Sequence, residues 1–317
     1  MNESHKEAKP FFFAFDYELK NGIFLDGENL QCSDIVKFRV GDSTNAPRFA
    51  CEPHKKSVYL KFVPESIDSY ARKFARVRDA ILAGETYLLN LSCKTRIETD
   101  FTFDEIFYRA ETPYAIAVKD KFVCFSPETF VKITDGRISS YPMKGTIDAA
   151  LPAAEVQIIN NSKEFAEHTT VVDLIRNDLS AIAKKVRVPR FRFVQKVKRA
   201  GLSDILQISS EVTGEVCDIP LGDLIFAMLP AGSISGAPKA RTLEIIREAE
   251  GMDRGFYTGV FGYFDGKNLN SAVAIRFIEN DGSSLYYRSG GGITFNSAMH
   301  SEYDEVIQKI YLPFAAK

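Results

Sequence analysis

Residues 114–140 read YAIAVKDKFVCFSPETFVKITDGRISS. Apolar and β-branched residues dominate this stretch, and turn-forming pairs interrupt it at Asp120-Lys121 and Asp135-Gly136. Short apolar runs bounded by such pairs are typical of β-strands, so the pattern predicts three strands. Strands joined by so few residues pair antiparallel, because a parallel crossover needs a dozen residues or more.

Similar hairpin patterns and several separate helices occupy the rest of the chain. The apolar run Phe11–Phe15 predicts a buried strand, and Ser66 predicts the N-cap of a helix that Gly84 ends. Further strands are predicted at 86–97, 208–217, 257–264, 271–279 and 284–289, and further helices at 103–110, 163–184, 221–229, 238–250 and from Ser301. No long linker divides these elements. We therefore predict a single large α+β domain, a layered sandwich of antiparallel sheets flanked by helices.

Composition excludes several classes of protein. The chain has 317 residues, is 45% hydrophobic and 26% charged, and carries a net charge of −2 without a basic block, so we expect no nucleic-acid partner. Its five cysteines are scattered and form no Cys/His cluster, which argues against a disulfide framework or a zinc site and favours the reducing cytoplasm. The Phe11–Phe15 run is too short to span a membrane, so we expect no membrane partner.

Two pairs of glutamates begin two of the predicted helices. Glu164 and Glu167 are three residues apart, as are Glu302 and Glu305, so the members of each pair share a helix face. Four carboxylates converging from two helices would suit Mg²⁺, which prefers oxygen ligands and water. Acidic residues in a first helical turn also complement the helix dipole while facing solvent, and the spacing leaves both interpretations open.

Lys144 lies on tightly shaped backbone. It is part of the run Tyr141-Pro142-Met143-Lys144-Gly145-Thr146, in which proline fixes one φ angle and glycine permits a sharp change of direction. An amine held there and desolvated could act as a nucleophile. A lysine in a turn is also commonly a solvated surface charge, and the run by itself does not decide between the two.

Two glycine-rich segments and one arginine are candidates for anion binding. Residues 232–239 lead to a helix N-terminus, where backbone N–H groups can bind an anion, although Pro238 and Ala240 exclude a Walker A loop. Gly290-Gly291-Gly292 could bring backbone close to a ligand, and ordinary loops would explain both segments equally well. Arg276 follows the apolar run 272–275, where a guanidinium forms either a core salt bridge or a carboxylate clamp.

Together these motifs resemble the chorismate-utilising family, which includes the large components of anthranilate, aminodeoxychorismate and isochorismate synthases. The resemblance runs from about Ile81 to Lys309 and is carried by residues 126–128, 142–146, 163–179, 232–239, 254–262, 274–276 and 290–305. It implies an anthranilate synthase component I-like fold. It also implies that residues 66–317 are the chorismate-binding catalytic region, with residues 1–65 as a short strand-rich segment packed on it.

The resemblance implies a role for each candidate residue. Glu167 and Glu305 would bind Mg²⁺, supported by Glu164 and Glu302. Arg276 and Tyr257, with backbone near Gly290 and Gly292, would hold the enolpyruvyl side of chorismate. Further substrate contacts would come from Thr146, Lys309, Gly236 and Ala237. Glu128 resembles the family's general acid/base, which protonates the departing C4 hydroxyl.

Lys144 indicates the branch of the family. A lysine in this position is the proposed nucleophile of the aminodeoxychorismate synthases, whereas the anthranilate synthases usually carry alanine. The water-activating lysine of isochorismate synthases aligns with Leu88, which cannot activate water. A histidine tied to pyruvate elimination aligns with Gln207, which cannot shuttle a proton at neutral pH. The resemblance thus implies that the reaction stops at 4-amino-4-deoxychorismate, on the route to para-aminobenzoate and folate.

Ammonia is expected from a partner. No cysteine of this sequence lies in a Gly-x-Cys-x-Gly setting, so we expect a separate glutamine amidotransferase. Two alternatives remain: an anthranilate synthase component I, and a non-catalytic chorismate-binding subunit. Lys144 and Gln207 argue against the first, and the presence of all the candidate ligand residues argues against the second.

Overall fold

The computed structural model describes residues 1–31, 33–47, 58–197 and 204–314. Within these residues two nine-stranded sheets form the centre of the fold. The first sheet contains β1 (Phe11–Phe15), β2 (Gly22–Asp26), β9 (Thr129–Thr134), β10 (Arg137–Ser140), β11 (Met143–Asp148), β12 (Ala183–Val197), β13 (Ile205–Val216), β15 (Val260–Phe264) and β16 (Leu269–Val273). The second contains β3 (Val36–Val40), β4 (Ser43–Thr44), β5 (Leu60–Val63), β6 (Leu88–Thr99), β7 (Tyr114–Val118), β8 (Phe122–Ser126), β14 (Gly236–Ala237), β17 (Phe277–Asn280) and β18 (Leu285–Thr294).

The strand order is β11-β13-β10-β9-β16-β15-β1-β2 in the first sheet, with β12 paired to β13, and β14-β6-β18-β17-β8-β7-β3-β4 in the second, with β5 paired to β6. Every pairing between these strands is antiparallel. The helices are α1 (Asn2–Lys6), α2 (Gly27–Gln31), α3 (Ile67–Leu82), α4 (Phe103–Arg109), α5 (Ala154–Asn160), α6 (Ser162–Ser180), α7 (Leu221–Ala227), α8 (Lys239–Glu250) and α9 (Met299–Gln308). The predicted layered α+β sandwich is therefore confirmed.

Aromatic side chains fill the space between the sheets. Phe12 of β1 stacks on Phe38 of β3 with ring centres 4.3 Å apart, and both side chains are buried. Phe122 of β8 stacks on Phe277 of β17 at 4.8 Å in the same cluster. Stacked aromatic rings bury large apolar areas, so this layer binds the sheets together in a chain that has no tryptophan.

Helices cover the outer faces of the sandwich. Helices α6 and α7 pack in one cluster with Phe11 and Phe13 on the first sheet, whereas α4 packs on the second. Helices α3, α8 and α9 pack with strands β6 and β18. The predicted N-cap is present, because the Ser66 side chain accepts a hydrogen bond from Ser69 N, and Gly84 adopts φ +74° just beyond the helix. The Phe11–Phe15 strand is buried as predicted.

Several predicted element boundaries were wrong. Residues 114–140 form four strands, because the chain breaks again at Pro127-Glu128 and passes from the second sheet to the first. The predicted strand 271–279 is likewise two strands, β16 and β17, one in each sheet. The long helix ends at Ser180 and is followed by β12, whose irregular pairing with β13 gives no simple alternation in the sequence.

Candidate active site

Glu128 and Arg276 lie where the chain crosses between the two sheets. Val273 N donates to Glu128 O at 3.1 Å, and Phe125 N donates to Arg276 O at 3.0 Å, so the two crossovers run side by side. Arg276 has a φ of +57°, which a strand residue does not adopt, so its predicted position within a strand was wrong. Both side chains therefore occupy a junction that a continuous sheet would not provide.

Ser233 fixes the carboxylate of Glu128. The Ser233 hydroxyl donates to Glu128 Oε1 at 2.6 Å. Burial raises the pKa of Glu128 above its usual range, and the hydrogen bond from Ser233 and the charges of Lys144, Arg276 and Lys309 oppose that rise. A carboxyl group with a raised pKa and a fixed orientation suits a general acid.

Lys144 lies on an edge strand rather than in a simple turn. It belongs to β11, whose pairing with β13 is interrupted by a bulge between Lys144 and Thr146, and Gly145 in the bulge adopts φ +75°. Bulges re-aim side chains, and glycine tolerates this φ without strain. A Cβ atom built on Gly292 would lie 2.8 Å from Lys144 Nζ, so the lysine amine reaches across to β18 of the second sheet.

The three consecutive glycines lie within β18, so the ordinary-loop interpretation of this segment was wrong. Gly290, Gly291 and Gly292 pair with Ser92, Leu91 and Asn90 of β6. A Cβ on Gly291 would lie 3.5 Å from Glu305 Oε1 and 3.7 Å from Glu302 Oε2. The absent side chains therefore leave space between the strand and both the Lys144 amine and the α9 carboxylates.

Lys309 connects α9 to the glycine strand. Its Nζ donates to Gly290 O at 2.7 Å and to Glu305 Oε1 at 2.6 Å. Burial lowers the pKa of Lys309 and the charges of Arg276 and Lys144 act in the same direction, whereas Glu305 opposes them. Three cationic side chains thus influence one another here, as expected where an anionic ligand binds.

The glutamates of α6 lie beside β11. Glu164 Oε2 would be 2.9 Å from a Cβ on Gly145, so it lies under the bulge, and Glu167 is buried one residue before the buried His168. Oxygen donors are the right type for Mg²⁺, and Gly145 and Gly291 leave space beside them. Among the described residues, however, no three acidic, histidine or cysteine side chains gather closely enough to hold a metal ion.

The space that Gly291 and Gly292 leave beside Lys144 and the α9 carboxylates is called the cleft below, and the remaining predicted contacts lie at different positions in the fold. Tyr257 is buried, and burial raises its pKa to about 12 against the charges of Arg254 and Arg288. Gly236 and Ala237 form β14 beside Leu89 and Leu88, in the segment that also contains Ser233. Thr146 is exposed, on the far side of the bulge from Lys144.

Arg276 Nε donates to Tyr311 Oη at 3.4 Å, and no carboxylate of the described chain pairs with Arg276, so the core salt bridge is not formed.

A buried ion pair that was not predicted from the sequence supports this site. Arg254 Nη2 donates to Glu250 Oε1 at 2.6 Å, and each side chain is only 1% exposed. Arg254 also donates to Ile234 O and Asn90 O, and Glu250 Oε1 accepts from Ser92 N. The pair ties the segment of Ser233 to β6, the neighbour of the glycine strand. The i,i+4 spacing of Glu250 and Arg254 was the only sign of this pair in the sequence, but the same spacing is common for ion pairs on exposed helix faces.

Comparison with known proteins places these residues in a family. The family model described as chorismate binding enzyme matches residues 11–314. The chain belongs to this family. The cleft is therefore interpreted as that of a chorismate-utilising enzyme. The family resemblance inferred from the sequence is confirmed.

Two relatives match the chain over nearly its whole length. Uncharacterized PabA-like proteins of Pasteurella multocida and Haemophilus influenzae are 45% and 43% identical, each over 98% of this chain and over 96% and 94% of their own lengths. Aminodeoxychorismate synthase component 1 of Bacillus subtilis is 31% identical over 78% of this chain and 55% of its own length. Anthranilate synthase component 1 of Pseudomonas putida is 34% identical over 84% of this chain and 55% of its own length, so the chain spans about half of these two relatives.

Solved structures agree on the fold. Anthranilate synthase component I of Streptococcus pneumoniae superposes with a TM-score of 0.68 and 27% identity over 79% of this chain and 58% of its own. A putative 2,3-dihydroxybenzoate-specific isochorismate synthase of Bacillus anthracis gives a TM-score of 0.73 at 19% identity over 97% of this chain and 84% of its own. The chain therefore has the anthranilate synthase component I-like fold. None of its described helices is long and apolar enough to cross a membrane.

Proposed function

We propose that the protein converts chorismate and ammonia to 4-amino-4-deoxychorismate, the precursor of para-aminobenzoate in folate synthesis, with Lys144 as the nucleophile. The observation that carries the proposal is the position of the Lys144 amine. It lies 2.8 Å from the Cβ position of Gly292, in the space that the glycine strand leaves open. An amine in that space can reach a bound ring, whereas a solvated surface lysine could not.

Glu128 and Lys144 have different roles in the proposed reaction. Glu128 protonates the C4 hydroxyl as it departs, while the Lys144 amine attacks C2 of the ring. Ammonia then forms a bond to C4, and the bond between Lys144 and C2 breaks with its electron pair returning to the lysine nitrogen. Splitting one difficult substitution into two easier steps is the benefit of a covalent intermediate.

Two further positions favour this product over its alternatives. Leu88 Cδ1 would lie 3.3 Å from a Cβ on Gly292, so an apolar group occupies the neighbourhood where a water-activating amine would be needed for hydroxylation. Gln207 pairs with Thr146 across β11 and β13 and cannot transfer a proton at neutral pH. With neither group available, amination without pyruvate elimination is the favoured outcome.

Chorismate carries two carboxylates, and the cleft offers groups for both. Arg276 and Tyr257, with the backbone at Gly290 and Gly292, would hold the enolpyruvyl side. Glu167 and Glu305, with Glu164 and Glu302 in support, would hold Mg²⁺ on the side of the ring carboxylate. When bound, the ion would withdraw charge from the ring as the hydroxyl leaves. Ammonia would come from a glutamine amidotransferase partner.

Product identification tests this reaction directly. Chorismate, ammonium chloride and Mg²⁺ are incubated with the protein, with and without an aminodeoxychorismate lyase, and the products are identified by mass. We expect 4-amino-4-deoxychorismate alone and para-aminobenzoate only when the lyase is added. Fluorescent anthranilate without the lyase would identify an anthranilate synthase, and chorismate binding without any product would identify a non-catalytic subunit.

Substitution of the lysine tests its role. In Lys144→Ala we expect amination to fall to background while chorismate still binds. Lys121→Ala, at an exposed hairpin position, is the control and should keep full activity. Unchanged ammonia-dependent activity in Lys144→Ala would reject the nucleophile.

A further inference from the structure

Polar side chains anchor the first half of α6. Among the described side chains of residues 162–170, only Glu167 and His168 are buried, and the apolar side chains that pack into the core begin at Val171. Phe165 is the only large apolar residue of this segment, and it lies at the surface with 47% of its area exposed. A helix segment without a buried apolar face depends on polar contacts for its position.

His168 makes a buried hydrogen bond from this segment to β13. Its Nε2 and Ser210 Oγ are 2.7 Å apart, and both residues are 0% exposed. Among the described residues, His168 Nδ1 has no hydrogen-bond partner, so the imidazole is hydrogen-bonded through Nε2 alone. Burial lowers the pKa of His168 to about 4, and the charges of Arg192 and Lys144 act in the same direction. Lys144 therefore lies close enough for its charge to act on the ring.

Ser210 joins α6 and β12 to the start of β11. Its hydroxyl oxygen accepts from Arg192 N of β12 at 2.9 Å and is hydrogen-bonded to His168 of α6. Its backbone N donates to Pro142 O at 3.1 Å, directly before β11 begins. Lys144 follows two residues later and is itself paired with β13. One buried residue thus connects the helix to the strand that carries the lysine.

Glu164 relates the position of α6 to the bulge of β11. It precedes His168 by four residues, so both side chains lie on the same face of the helix. Its Oε2 would be 2.9 Å from a Cβ on Gly145, the glycine in the bulge beside Lys144. Within the part of the chain that the structure describes, β11 is the last strand of its sheet and pairs with β13 alone. A displacement of the first half of α6 would therefore change the support of the bulge.

We propose that His168 is a positioning residue, which fixes the place of Lys144 through its hydrogen bond to Ser210. The bond holds the first half of α6 against β13, Glu164 then supports the bulge at Gly145, and the bulge aims the lysine amine into the cleft. The catalytic consequence rests on the amination reaction proposed above, whereas the position of the amine can be measured without that reaction.

Two substitutions of His168 separate the roles of its two nitrogens. A glutamine places its amide near the position of Nε2 and can donate or accept, whereas the shorter asparagine reaches only to the position of Nδ1. Because Nε2 alone is bonded to Ser210, we expect His168→Gln to keep the kcat for amination and His168→Asn to lower it about 100-fold. Thr169→Ala, at an exposed position of the same helix, is the control and should keep full activity. Equal kcat values in the glutamine and asparagine variants would overturn the proposal.

Chemical labelling of the lysine amine tests its position independently of the reaction. Limiting acetic anhydride acetylates amines, and mass spectrometry gives the ratio of labelling at Lys144 to that at the exposed Lys121. An amine on an unsupported bulge is less confined, so we expect this ratio to rise in His168→Asn and Ser210→Ala and to stay unchanged in His168→Gln. An unchanged ratio in the first two variants, with circular dichroism like that of the wild type, would overturn the proposal. A raised ratio in a protein whose wild type makes no aminated product would reject the reaction and retain the positioning role.

Discussion

The Ser233 hydroxyl donates a 2.6 Å hydrogen bond to Oε1 of Glu128, across the point where the chain crosses between the sheets. The bond stabilises the carboxylate and so lowers the pKa of Glu128 against the opposing effect of burial. A general acid is active while protonated, so activity should fall as pH rises through this pKa. In the reaction proposed above, Ser233 is therefore expected to set the upper pH limit of activity.

Removal of this hydrogen bond should move the basic limb of the pH profile upward. In Ser233→Ala the carboxylate loses a donor, its pKa rises, and Glu128 stays protonated to higher pH. We expect the basic limb of the kcat profile to move up by about one to two pH units, because a hydrogen bond to a charged group contributes about 1.5–3 kcal/mol. Glu128→Gln is the control, in which this limb should vanish and kcat should fall about 10²–10⁴-fold. If the basic limb of Ser233→Ala lay at the same pH as that of the wild type, the limb would belong to a group other than Glu128.

Gly292 should be required for the position of Lys144. An added methyl group would lie 2.8 Å from Nζ and 3.3 Å from Leu88 Cδ1, so the flexible lysine must move away. We expect Gly292→Ala to lower kcat for amination about 100-fold, as misplacement by about an ångström does, while the melting temperature changes little. A double-mutant cycle provides the control, because Gly292→Ala should have no further effect in a Lys144→Ala background. An independent loss of activity in that background would mean that the glycine acts in another way.

The buried pair of Glu250 and Arg254 should dominate the stability of the site. Glu250→Gln leaves the Arg254 guanidinium buried without a countercharge, and we expect a loss of about 3–5 kcal/mol in the free energy of unfolding, measured by urea denaturation. The exposed pair of Arg76 and Glu248 is the comparison, and Arg76→Ala should cost at most about 1 kcal/mol. Similar losses in both variants would contradict a special role for burial.

Activity should depend on added Mg²⁺. Treatment with EDTA should abolish amination, and Mg²⁺ should restore it. In Glu302→Gln we expect the Mg²⁺ concentration for half-maximal activity to rise about 10–100-fold, as is typical when a supporting residue of a metal site is replaced. Glu248→Gln, at an exposed position outside the cleft, should behave like the wild type. Full activity in EDTA would remove the metal from the mechanism.

Local chemistry made part of the fold predictable. Ser66 and Gly84 bounded a helix correctly because a cap and a left-handed stop depend on residues within one turn. The Phe11–Phe15 strand was predictable because a short run of aromatic residues is too apolar to face water. The boundary at 274–276 failed because an apolar run continues through the point at which the chain changes sheets, and the boundary at 127–128 failed although Ser126-Pro127-Glu128 interrupts the apolar pattern there.

The candidate site was likewise only partly predictable from the sequence. The spacing of the glutamates and the presence of Lys144, Glu128 and Arg276 were evident from the sequence, since they are properties of residue type and order. Their juxtaposition depends on contacts between residues more than a hundred positions apart, such as Ser233 with Glu128. No local pattern encodes such contacts, and the hydrogen bonds made by Arg254 could not be predicted either.

The sequence by itself determined the residue types available for chemistry, the family, and most helices and strands, because these follow from local periodicity, turn residues and motif order. Only the tertiary structure decided that Gly290, Gly291 and Gly292 form a strand, that Lys144 faces it from a bulge, and that Glu128 and Arg276 lie at adjacent crossovers. The physical reason is that hydrogen bonds and burial between distant segments determine which strands pair and where the chain changes sheets. A short stretch of sequence does not contain this information.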